Sequence, residues 1–102
     1  VMMGDLLMTQ GDPSTCMFLI LTGAFDIFVD FTGSNDLSKA EQVDTAEEGT
    51  ALGEVGMLTG DRRNAFVKAA SICEVLEVTF EAVQSVTVQR PELHQLLSDM
   101  VQ

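Results

Sequence analysis

"MFLILTGAFDIFVDF", residues 17–31, decides the fold class, because a single glycine, Gly23, splits it into two strand-sized apolar runs. Phe25, Ile27, Val29 and Phe31 alternate with Asp26 and Asp30, the period-two pattern of a strand with one buried and one wet face. Working outward, further runs rich in Leu, Ile, Val and Phe recur at Leu6 to Thr9, Gln42 to Ala46, Asn64 to Ala69 and Glu74 to Thr79. Together with Met17 to Thr22 and Ala24 to Phe31 they are separated by Gly, Asp, Pro, Ser and Asn, which is how an antiparallel all-β domain is written. "GDPST", residues 11–15, carries Asp-Pro to open a turn, and the polar "TGSNDLSKAE", residues 32–41, reads as a mobile hairpin loop.

After Thr79 the period changes. Ala82, Val83, Val86 and Thr87 have helical spacing, Pro91 interrupts, and Pro91 to Met100 restarts with Leu93, Leu96, Leu97 and Met100 on one face. The expected architecture is therefore mainly β: an antiparallel, jelly-roll-like double-stranded β-roll followed by C-terminal helices.

The bulk numbers set limits. The chain has 102 residues, enough for one domain with one core, and 46% of them are hydrophobic. Five basic residues stand against 16 acidic ones, a formal net charge of −11, which argues against duplex DNA or anionic lipid as a main partner. No apolar run approaches a membrane span, and the N-terminus lacks the pattern of a signal peptide, so a cytoplasmic setting, or the cytoplasmic face of a membrane protein, is expected. Cys16 and Cys73 have no metal-ligand spacing and read as buried free thiols. With a single histidine, His94, neither a metal centre nor a nucleophilic triad can be assembled, and no enzyme and no cofactor are expected.

Against that acidic background, "LGEVGMLTGDRRNAFVKA", residues 52–69, gathers Arg62, Arg63 and Lys68 beside Gly53, Gly56 and Gly60. Glycines let a backbone turn sharply and bring its N–H groups close to a ligand, and a guanidinium can hold two phosphate oxygens at once. Adjacent residues at a strand entry point to opposite sides, so one of Arg62 and Arg63 faces the glycine turn and the other is solvated. Glu54 has acceptors only, so its partner is a hydroxyl or N–H donor: a sugar hydroxyl, a helix start or Arg63.

The stretch "GEVGMLTGDRRNAFVKA" resembles the phosphate-binding cassette of cyclic nucleotide-binding domains, the modules of catabolite-activator-type transcription factors, protein kinase A regulatory subunits and cyclic nucleotide-gated channels. Gly53, Glu54, Arg63, Ala65 and Val67 match at the family's spacing, with "GDLLMTQGDPSTCMFLILTGAFDIF" similar to its first strands and "CEVLEVTFEAVQSVTVQRPEL" to the strand and helix that follow. The resemblance implies a short helix in the cassette, with Arg63, Asn64, Ala65 and Val55 around the phosphate. It implies Glu54 and Gly53 at the ribose, and Leu52 and Val43 against the base. Arg62 falls at a variable position and is expected to be exposed.

The implied ligand is a cyclic nucleotide, cAMP first and cGMP second. Asn64 departs from the Ala of many cAMP-selective members and the Thr of many cGMP-binding ones, and its amide can both donate and accept. The chain reads as one domain, residues 1–102, of a longer protein in which a separate effector domain responds, with a homo-oligomer as a further partner. The family's closing helix would lie past Gln102. The competing expectation is a relative that keeps the fold but serves as an interaction or dimerisation module without nucleotide.

Overall fold

The structure is a computed structural model that describes residues 1–82. The helices expected between Ala82 and Met100 therefore lie outside the described residues, apart from a first helical turn over 80–82 in which the Ala82 amide donates to Thr79 Oγ1 at 3.2 Å.

Two antiparallel sheets form the body. One runs β1 (Leu6–Met8), β6 (Phe66–Ala69), β3 (Ala24–Val29), β4 (Glu41–Glu47) across its width; the other runs β5 (Ala51–Leu52), β2 (Cys16–Thr22), β7 (Glu74–Thr79). The glycine that splits residues 17–31 carries the chain from one sheet to the other. Gly23 has φ +90, and a Cβ there would lie 2.5 Å from Cys73 Sγ and 2.8 Å from the Ile72 carbonyl oxygen, so the corner admits only glycine. Between the sheets lies a core of Met8, Ile20, Phe25, Ala46, Leu52, Val67, Ala69 and Cys73. A smaller cluster pairs Met17 of β2 with Met57 of the helix α1 (Glu54–Thr59). Both cysteines are buried and free.

The architecture agrees with the expected β-roll, and several local readings need correction. The alternation of residues 25–31 ends early: β3 stops at Val29, Asp30 is buried and Phe31 is 71% exposed. Once the pairing stops, the Asp30 carboxylate turns inward to the following loop. It accepts from the Thr32 amide at 2.8 Å, the Thr32 hydroxyl at 2.7 Å and the Asp36 amide at 2.9 Å, which satisfies a buried charge. Gln10 closes the arrangement, its Nε2 donating to the Asp30 carbonyl and its Oε1 accepting from the Asp30 amide. The polar stretch 32–41 is thus organised, with a short 3₁₀ helix at Leu37–Lys39 that Asp36 caps through the Ser38 amide.

The strand read from Asn64 begins at Phe66, β1 and β3 pair with its two edges, and Phe66, Val67 and Ala69 are buried, so residues on both of its faces are covered. The two-residue strand β5 was not expected. Its register, Leu52 opposite Phe18 and Ala51 opposite Leu19, fixes where the glycine segment starts.

Candidate functional site

The site is built where β5 runs into α1. Gly53, at φ +81, is the N-cap of α1, and Gly60, at φ +80, ends it with its amide donating to the Gly56 carbonyl at 2.8 Å. Among the described residues no side chain caps the helix start, and the first bond of the helix is Met57 N–H to the Gly53 carbonyl. The amides of Glu54, Val55 and Gly56 consequently have no intrahelical acceptor.

A distant turn positions the arginine. The Gly11 amide donates to the Arg63 carbonyl at 2.9 Å and the Arg63 amide donates to the Asp12 carbonyl at 2.8 Å, so the "GDPST" turn holds this segment by both backbone groups. Arg63 is 8% exposed. Its Nη2 donates to the Cys16 carbonyl at 2.7 Å and its Nη1 to the Gly53 carbonyl at 3.3 Å, with the guanidinium carbon 5.9 Å from the Phe18 ring centre. A Cβ at Gly53 would collide with Arg63 Nη1, so the N-cap glycine makes room for the guanidinium. Arg62 is exposed, with Nη1 on the Gly11 carbonyl at 2.9 Å.

The electrostatics of this corner are unusual. Arg63 is a buried permanent cation, and among the described residues no carboxylate pairs with it. Its neighbour Cys16 does not neutralise it: burial first, and then a hydrogen bond with Glu77, push the Cys16 thiol above its ordinary value, so it stays neutral. Glu54, the first residue of α1, neither caps the helix nor bonds Arg63, and it has no hydrogen-bond partner among the described residues. Its charge is favourable at a helix start.

Arg63 and Glu54 line one open cavity of about 270 Å³, and Arg62 lines it too. Of the residues expected to touch a ligand, Leu52, Gly53, Glu54, Arg63, Asn64 and Ala65 are brought together in its wall. Asn64 is exposed at the opening, and Val55 is the second residue of α1. Val43 is not brought there. Ile27 pairs with Asp44 and Phe28 with Gln42, so Val43 is the extra residue of a β-bulge, 50% exposed and outside the cavity wall. Sequence reasoning missed the Cys16 carbonyl and the backbone of Gly11 and Asp12, which hold Arg63, and it missed Ser14 and Met8, which line the cavity. The Gly-Asp turn was the one available signal, since a turn ahead of an apolar strand can bring its backbone to a neighbouring segment.

Comparison with known proteins places the chain in a family. A family model described as the cyclic nucleotide-binding domain matches residues 1–90, and the chain belongs to that family. It is 34% identical over 68 residues to a cGMP-dependent protein kinase of Toxoplasma gondii, a match that covers 67% of this chain and 6% of the kinase. The chain thus spans a small part of that relative. Among solved structures it is similar to the catabolite activator protein of Thermus thermophilus, with a TM-score of 0.85 at 20% identity over 99% of this chain and 46% of that one. A cyclic nucleotide-binding domain from Methylobacillus flagellatus gives a TM-score of 0.82 at 23% identity, covering 99% of this chain and 52% of its own. Among the described residues, no helix is long and apolar enough to cross a membrane.

Proposed function

We propose that this domain binds a purine cyclic nucleotide in the cavity beside α1 and acts as a sensor whose occupancy is read by an effector domain elsewhere in a longer chain. The observation that carries the proposal is Arg63, a buried cation with no carboxylate partner among the described residues, next to an uncapped helix start. In a chain of net charge −11, a small anion is bound only where close contacts outweigh long-range repulsion, and this corner supplies them. Arg63 neutralises the phosphate, the free amides of α1 share it, Glu54 accepts the ribose hydroxyl, and Leu52 faces the base. Binding, not catalysis, is the role proposed. The base is set by Asn64 at the opening: cAMP is the first expectation, and the name of the Toxoplasma relative makes cGMP the one to test beside it.

A second reading rests on the same arginine. Its guanidinium is tied to the Cys16 and Gly53 carbonyls, which would also suit a structural strut in a module that binds a protein partner instead. Thermal melts separate the two. A ligand present at about 100 times its Kd stabilises the folded state by roughly 2.7 kcal/mol, a shift of several degrees in Tm. The proposal expects that shift with cAMP or cGMP and none with the acyclic AMP or GMP. The strut reading expects none with any of them.

A further inference from the structure

Gly53, the N-cap of α1, and Gly56, in its first turn, are three residues apart in sequence. A Cβ built at Gly53 would run into Arg63 Nη1, and one built at Gly56 would run into Ser14 Oγ. The guanidinium and the hydroxyl therefore both pack against the start of α1, each filling space that a side chain would otherwise take. Both residues line the same cavity. Ser14 Oγ is buried and has no hydrogen-bond partner among the described residues, although buried hydroxyls are normally bonded. Arg63, in contrast, already has its two terminal nitrogens on the Cys16 and Gly53 carbonyls, so it brings charge to the site with part of its donor capacity in use.

We propose that Ser14 is a second phosphate-orienting residue, its hydroxyl donating to an exocyclic oxygen of the cyclic phosphate whose charge Arg63 balances. This inference rests on the nucleotide-binding reading above. A cyclic phosphate has two exocyclic oxygens sharing one negative charge, and a rotatable hydroxyl packed, like the guanidinium, against the start of α1 addresses one of them while the guanidinium addresses the other. Gly56 belongs to the same device, because any larger residue there displaces Ser14.

The test compares the unsubstituted protein with Ser14→Ala, titrated with cAMP or, if it binds more tightly, cGMP. It also uses the two phosphorothioate diastereomers, in which sulfur replaces one or the other exocyclic oxygen. Losing a hydrogen bond to a charged acceptor should weaken binding by roughly tenfold. The melting temperature without ligand should hold or rise, because an unpaired buried hydroxyl is removed. The tenfold penalty should vanish for one diastereomer and persist for the other, which a packing role would not produce. Gly56→Ala should reproduce the loss of affinity. Equal affinity of Ser14→Ala and the unsubstituted protein, or an equal penalty for both diastereomers, would overturn the role of Ser14 alone. Absence of any binding by the unsubstituted protein would overturn the nucleotide reading and this inference with it.

Discussion

Arg63 donates to the Cys16 and Gly53 carbonyls while buried, so its position is fixed before any ligand arrives. A group already immobilised loses little further freedom on binding, and a buried charge acts through a lower effective dielectric than an exposed one. Arg63→Ala should therefore cost roughly 1.5 to 3 kcal/mol of binding energy, on the order of 10- to 100-fold in Kd. Arg62→Ala should change affinity little, since Arg62 is exposed and its terminal nitrogen is on the Gly11 carbonyl. Equal losses in a titration would contradict the assignment of the role to Arg63. That Arg63 and not Arg62 would be buried was legible in the family pattern, but strand alternation is not the reason, because β6 begins only at Phe66. The Cys16 carbonyl and Ser14 were not, because they reach the site from residues 14–16 through tertiary packing that no local pattern records.

At the scale of elements, α1 depends on its two terminal glycines, and Gly53 is the more constrained. Alanine there would have to adopt a positive φ, at roughly 1 to 2 kcal/mol, and would push against Arg63. Gly53→Ala should lower Tm by about 5 to 15 °C and weaken nucleotide binding together, measured by melts and titration on one sample. The loop after β3 makes a different prediction. The Thr32 hydroxyl, and then the Asp36 amide, hold the Asp30 carboxyl below its ordinary value of 3.8. A lowered folded-state value stabilises the fold fully above the unfolded value and ceases to do so as pH falls through the folded one. Asp30→Asn should therefore lower Tm at neutral pH, and the gap to the unsubstituted protein should close below about pH 4. A gap that stays constant down to about pH 2.5 would contradict the assignment. Strand existence was readable from period-two runs, whereas the end of β3 was not: residues 25–31 keep their alternation in sequence after the pairing has stopped at Val29. The strand β5, only two residues long, carries no period at all.

At the scale of the whole molecule, the two sheets bring Cys16 of β2, the end of β5 and the segment before β6 to one corner, and so assemble a cation site in an acidic chain. Repulsion from the remaining carboxylates is screened beyond about 10 Å at 0.1 M salt, so the close contacts decide binding. The measurement that tests this most directly is isothermal titration of the domain with cAMP and then cGMP, with folded Arg63→Ala as the control. Saturable binding of at least one nucleotide, weakened by at least about tenfold on substitution, is the expected result. A well-folded sample giving neither heat nor a melting shift with either nucleotide, or binding that Arg63→Ala leaves unchanged, would contradict it.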